Sequence, residues 1–132
     1  MGQKEKHMEF IQAVVNRLSH NSFLLKGWSV VLVSALFALS AGNSKPTFIF
    51  LAYIPAFIFW GLDGYFLWEE KKFRALYDQV RNLEDTEIDF SMDTSVVSGQ
   101  VEPWIESTLS KTLIPFHGVL IASIVIVMIL SL

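Results

Sequence analysis

Asp63 is the one acidic residue within the apolar stretch of residues 47–68. A carboxylate in such surroundings is costly unless it is protonated, hydrated or paired with another polar group, so its presence is a reason to look for function there. His117 lies in a second apolar stretch, residues 112–132, equally close to the polar end. An acid and an imidazole at matching depth can form a pair that binds a proton or an ion, or a pair that is only structural.

Aromatic side chains surround Asp63 along the same stretch, with Trp60 on one side and Tyr65, Phe66 and Trp68 on the other. Tryptophan and tyrosine are enriched where a membrane meets water, because their rings are apolar and their N–H or O–H groups are polar. The pattern is typical of an interfacial aromatic belt. Trp60 and Tyr65 are therefore further candidates for a functional group at the membrane boundary.

The sequence lacks the motifs of the common catalytic and metal centres. It contains no cysteine, no glycine-flanked nucleophile, no paired zinc ligands and no phosphate-binding glycine loop. The acidic residues between positions 84 and 93 lack the glycine and the terminal glutamate of a calcium loop. A net charge of -3 argues against nucleic acid as a partner. We therefore predict a protein that is not an enzyme and holds no cofactor or metal.

Three stretches of the chain are long and apolar enough to cross a bilayer as helices, namely residues 23–41, 47–68 and 112–132. Hydrophobic residues make up 52% of the 132 residues, which is high for a soluble domain of this size. Spans of about 20 apolar residues suit the hydrocarbon of a membrane better than a small soluble core. The sequence therefore predicts an all-α integral membrane protein with the lipid bilayer as its first partner.

The first two spans are predicted to form a tight hairpin, because residues 42–46 are rich in residues that favour turns. Ser34, Ala38 and Gly42 make one side of the first span thin. Such a side allows close packing against the second span or against another copy of the chain. Pro55 removes one backbone donor and predicts a kink in the second span.

Polar segments flank the spans. Residues 5–20 carry apolar side chains at helical spacing and predict a separate amphipathic helix, with the cap of the first span at residues 21–22. Lys26 is expected to reach the lipid headgroups. Residues 84–111 form an acidic segment, in which residues 84–101 predict a loop with at most short extended pieces and Pro103 begins a short helix.

The second span is not followed by a stop signal, and one helix is predicted to continue to residue 83 in the cytoplasm. Its continuation carries an apolar stripe that must pack against the N-terminal helix, the segment that follows or another copy of the chain. The candidate interaction surface consists of Phe73, Arg74, Leu76, Tyr77 and Val80.

Lysine and arginine residues are unevenly distributed along the chain. Four lie at or before the start of the first span, one lies in the turn between the first two spans, and five lie within residues 69–111. Because basic residues favour the cytoplasmic side, we expect the N-terminus and residues 69–111 in the cytoplasm and the C-terminus outside. The expected location is the bacterial inner membrane.

One block of motifs spans roughly residues 21–81. It comprises Asn21-Ser22-Phe23, Lys26-Gly27-Trp28, Ile54-Pro55, Phe59-Trp60-Gly61-Leu62-Asp63-Gly64-Tyr65-Phe66-Leu67, Glu70 and Phe73-Arg74-Ala75-Leu76-Tyr77. This block resembles a group of small, functionally uncharacterised bacterial membrane proteins. The resemblance implies a helical membrane protein and identifies relatives rather than a reaction. Its residues cluster around Asp63 and the membrane end of the long helix.

These features lead to three functional hypotheses. The first is an oligomeric small membrane protein that alters membrane permeability in response to a cytoplasmic signal or partner, as toxin-like or phage-defence effectors do. The alternative is a non-catalytic membrane anchor or regulatory subunit for a partner protein that docks on the acidic segment. The third is a proton- or ion-coupled carrier that uses Asp63 and His117 and also requires an oligomer.

Overall fold

The computed structural model describes residues 2–43 and 45–131, and all regular structure within them is helical. Three positions mentioned above lie outside the described residues: Met1, Ser44 of the predicted turn and Leu132 of the predicted third span. The helices are α1 (Gln3–Asn43), α2 (Thr47–Leu51), α3 (Tyr53–Arg81), α4 (Trp104–Thr108) and α5 (Ile114–Ser131), with 3-10 turns at Asp85–Glu87 and Thr94–Gln100.

Three helical segments in the described residues are long and apolar enough to cross a membrane: α1, the pair α2 and α3 taken together, and α5. This confirms the prediction of an all-helical chain with three candidate spans. The apolar parts of these helices meet in one cluster, which we call the membrane core. Its buried members are Val33, Ile49, Ala52, Ala56 and Ile124.

Helix α1 is a single helix of 41 residues, about 60 Å long at about 1.5 Å per residue. The prediction of a separate amphipathic helix over residues 5–20 and a new start at residues 21–22 was wrong. No glycine or proline interrupts the chain between residues 3 and 26, so nothing in the backbone forces a break. Ser22 is inside the helix, and its hydroxyl donates to Asp63 instead of capping a terminus.

The second candidate span is interrupted near its start and then continues without a break far beyond the apolar stretch. Ala52 forms a turn between α2 and α3, and its backbone N–H donates to Ile49. Pro55 explains this position, because proline has no N–H to donate to the carbonyl of Leu51 four residues earlier. Helix α3 then extends to Arg81, two residues short of the predicted end.

A second apolar cluster, the distal core, lies on the polar continuations of α1 and α3. Its buried members are Ile11, Val15, Leu76, Val80 and Val97. Leu76 and Val80 are only 3% and 2% exposed, so the chain itself covers these two candidate interaction residues. Phe73 and Tyr77 pack partly buried against the same cluster.

The acidic segment between α3 and α4 is anchored to this distal core. It forms two 3-10 turns, where the sequence predicted a loop with short extended pieces. Val97 is fully buried in the core, and the ring nitrogen Nε2 of His7 on α1 lies 2.8 Å from the carbonyl oxygen of Ser91. The backbone N–H of Ser95 donates to the Asp93 carboxylate, which lowers the pKa of Asp93 and caps the second turn.

Adjacent valines test this anchoring. Val97→Ala removes two buried methyl groups and is expected to lower the free energy of unfolding by about 1.5–3 kcal/mol. Val96→Ala is the matched control, because Val96 is 64% exposed, and it should change stability by less than about 0.5 kcal/mol. Thermal unfolding of the two variants in lipid nanodiscs measures the difference. Equal midpoints would show that the acidic segment is not anchored through Val97.

Candidate functional site

The carboxylate of Asp63 is fully buried and contacts donors from both of the other long helices. On α1, the hydroxyl of Ser22 donates to Oδ1 and the ammonium of Lys26 lies 2.7 Å from Oδ2. On α5, Nε2 of His117 lies 2.7 Å from the same oxygen, Oδ2. We call these four residues the boundary network, and it links α1, α3 and α5 at one point.

Local helix geometry aligns the α1 side of the network. Ser22 and Lys26 are four residues apart and therefore lie on the same face of the helix. The Lys26 ammonium also donates to the Ser22 hydroxyl at 2.8 Å, so the two donors support each other. The Lys26 side chain is only 23% exposed. The expectation that Lys26 reaches the lipid headgroups was wrong. The carboxylate of Asp63 lies within reach of the Lys26 ammonium and binds it inside the bundle.

Trp60 belongs to the site and Tyr65 does not. The indole ring of Trp60 is nearly parallel to the imidazole of His117, at 4° and 5.7 Å between ring centres. Its N–H donates to the carbonyl of Thr108 at 2.8 Å, which fixes the indole in place. Tyr65 is 45% exposed and contacts Phe66 and Trp68 through ring edges, away from the buried carboxylate.

Helix α4 packs beside the network, against residues 60–64 of α3. The indole N–H of Trp104 donates to the carbonyl of Gly61 at 3.0 Å. Gly64 permits the close approach, because a Cβ at that position would lie 2.1 Å from the Oγ1 of Thr108. The connection before α5, which was predicted as part of the cytoplasmic acidic segment of residues 84–111, therefore packs against the apolar stretch.

A cavity of about 310 Å³ reaches the network from one side. It touches the donors Ser22 and Lys26 and also Glu70, which is paired with Arg74. The remaining lining is mostly apolar. We call this cavity the vestibule, because polar groups of the network and of the polar part of α3 both line it.

The boundary network contains two groups that can accept a proton, and it is unsuited to holding a metal ion. The Lys26 ammonium occupies the place beside the carboxylate that a cation would take. No group of three or more histidine, cysteine, aspartate or glutamate side chains within residues 2–43 and 45–131 could hold a metal ion. The carboxylate and the imidazole, by contrast, both accept protons and lie in direct contact.

Comparison of the chain with protein families, curated proteins and solved structures gives no match.

Sequence reasoning paired Asp63 with His117 but missed the two α1 donors. One signal was present, because Lys26 is the only charged residue in the stretch of residues 23–41. A lone basic residue and a lone acid in neighbouring spans are natural partners. The distance of Ser22 and Lys26 from Asp63 along the chain concealed the contact.

The ion pair between Lys26 and Asp63 gives a direct test of the network. Lys26→Met leaves the buried carboxylate without its counter-charge and should destabilise the protein by about 3–5 kcal/mol. Adding Asp63→Asn removes the unpaired charge, so the double variant should regain most of that loss. Apparent thermal midpoints in lipid nanodiscs provide the measurement.

The control is Lys71→Met. Lys71 lies 3.4 Å from Glu102 in an exposed pair, whose loss should cost less than about 1 kcal/mol. Equal effects of Lys26→Met and Lys71→Met, or a double variant less stable than Lys26→Met alone, would contradict the buried pair.

Proposed function

We propose that the protein is an oligomeric membrane protein of the bacterial cytoplasmic membrane that alters membrane permeability in response to a cytoplasmic signal or partner. This is the behaviour of small toxin-like or phage-defence effectors. In this proposal the protein has the orientation expected from its basic residues, with the distal core in the cytoplasm. The proposal also includes kinship with the small bacterial membrane proteins that the motif block resembles.

The observation that carries the proposal is the unbroken run of α1 and α3 from the distal core to the boundary network. Both helices contribute buried residues to the distal core, and the same two helices hold Lys26 and Asp63. A continuous helix transmits tilt and rotation along its length. A partner that separates the helices at the distal core would therefore displace the network and the spans beyond it.

The outer face of the first span supports an oligomer. Ser34 and Ala38 are exposed, whereas Ser29 and Val33 on the other side of the helix are buried inside the chain. The expected packing of the small residues against the second span is therefore absent from the described residues. Small exposed residues on a lipid-facing helix allow the backbone of a second helix to approach closely. Three packed helices of a single chain enclose no channel, so altered permeability requires an assembly of several chains.

Ala38→Leu tests the proposal by filling the thin face. Wild-type protein expressed in bacterial cells with a potential-sensitive dye should depolarise the membrane after induction or phage challenge. Ala38→Leu should reduce the rate of depolarisation at least about tenfold, because the added side chain blocks close helix approach. Ala122→Leu is the matched control, since it makes the same change on the exposed part of α5.

Unchanged potential and growth in cells that express the wild-type protein strongly, with and without phage challenge, would contradict the proposal. Equal depolarisation by Ala38→Leu and Ala122→Leu would contradict the role of the thin face in assembly.

One observation favours the alternative function, a membrane anchor or regulatory subunit for a partner protein. Glu102, just before α4, and Glu106, within α4, are exposed near the exposed side chains of Ile105 and Leu109. Acidic residues around an apolar patch form a surface that a basic partner could recognise. Purification in mild detergent tests this function.

Under this alternative, a partner should copurify with the wild-type chain and be lost from the double variant Glu102→Gln and Glu106→Gln. The control carries Glu5→Gln and Glu9→Gln on the exposed face of α1. Recovery of the wild-type chain alone would contradict an anchoring role.

A further inference from the structure

We propose that Asp63 and His117 form a binding site for a single proton, and that uptake of this proton opposes the docking of α5 against α1 and α3. The proposal concerns the boundary network itself. It stands whether or not the protein alters membrane permeability.

The boundary network has no net charge when Nδ1 of His117 carries no proton. Lys26 contributes one positive charge and Asp63 one negative charge, at 2.7 Å. The 2.7 Å contact between Nε2 of His117 and Oδ2 of Asp63 requires the ring to donate from Nε2. A neutral imidazole with its hydrogen on Nε2 meets that requirement and leaves the network with no net charge.

One further proton has no place in the docked arrangement. Nδ1 of His117 is buried and has no hydrogen-bond partner among the described residues. A proton added there creates a buried N–H group without an acceptor. A proton added instead to Asp63 leaves the Lys26 ammonium facing a neutral acid. Since the two groups are in contact, the proton belongs to the pair, and in both forms the charge of the network changes from zero to +1.

Among the described residues, no acid other than Asp63 forms a hydrogen bond or ion pair with the imidazole. The ring contacts Asp63 and Trp60 of α3 and Phe116 of α5. Lys26 of α1 adds a positive charge beside the same carboxylate oxygen. Glu106, the acid of α4, is exposed on the surface. The excess charge is therefore relieved only if His117 moves with α5 toward water.

The vestibule supplies the route for the proton. It touches Ser22 and Lys26, and the Ser22 hydroxyl donates to Oδ1 of Asp63. A hydroxyl can receive a proton on one lone pair while it gives up its own, so Ser22 can pass a proton to Asp63 without a change in its own state.

The described part of α5 makes few other polar contacts with the other helices. The boundary network can therefore control the position of α5. Apart from the contact of His117 with Asp63, the described residues contain one side-chain contact of this kind. The hydroxyl of Tyr53 lies 3.5 Å from the sulfur of Met128. Apolar packing in the membrane core provides the rest, chiefly through Ile124. Loss of the His117 contact therefore removes the main directional restraint at the inner end of α5.

The test compares the pH dependence of stability of the full chain in lipid nanodiscs with that of His117→Gln, which retains a donor but takes up no proton. An unfolded histidine takes up its proton near pH 6.5. Between about pH 6.5 and 5.5 the folded-to-unfolded ratio of the wild type should therefore fall by about fivefold relative to His117→Gln. The control variant His20→Gln, at an exposed position, should keep the wild-type response.

Parallel pH dependence of the wild type and His117→Gln, or a relative gain in wild-type stability in acid, would overturn the proposal. A second measurement needs no variant at position 117. In the ¹⁵N NMR spectrum of histidine-labelled wild-type protein, the His117 ring should show the neutral Nε2–H pattern for as long as the contact between Tyr53 and Met128 persists. An imidazolium pattern while the contact between Tyr53 and Met128 persists would also overturn the proposal.

Discussion

An ionised carboxylate is stable inside an apolar bundle only if donors surround it, and Asp63 obtains its donors from both of the other long helices, α1 and α5. Ser22 and Lys26 approach from α1, and His117 approaches from α5. Packing between apolar helices in a membrane is only weakly directional, because lipid tails compete equally well for apolar surfaces. The buried charge supplies the direction, since its carboxylate takes donors from two other helices at once.

Several features of the surrounding structure depend on that placement. Trp60 lies flat beside the imidazole and is itself held by the Thr108 carbonyl. Gly64 follows Asp63 directly and lets α4 approach the backbone of α3 at the same level. The distal core then fixes the other ends of α1 and α3. The two long helices are thus held together by the charged network and by two apolar clusters, the membrane core and the distal core.

Much of the architecture follows from the sequence, because long apolar stretches and their polar ends are local properties. The continuation of α3 beyond the apolar stretch was predicted from its residue types and from the absence of a stop signal. The continuity of α1 was not, since Asn21 and Ser22 resemble a helix cap until their tertiary partners are known. Pro55 indicated a disturbance in the second span, but only the hydrogen-bond pattern places it at Ala52.

The candidate site was predictable to a similar degree. Asp63 and His117 stand out because an ionisable residue in an apolar stretch is rare. Lys26 has two plausible destinations in sequence terms, the headgroups or the acid of a neighbouring span. The choice depends on the rotation of α1, which no local pattern sets.

Solid-state NMR of the protein in lipid bilayers tests the central claim most directly. Labels on the aspartate ¹³Cγ and the lysine ¹⁵Nζ report the contact between Asp63 and Lys26, which is the one lysine–aspartate side-chain pair in the part of the chain that the structure describes. We expect a strong dipolar coupling from an ammonium and a carboxylate in direct contact, with nitrogen and oxygen within about 4 Å. Absence of that coupling, together with close contact between the Lys26 nitrogen and lipid phosphorus, would contradict the account.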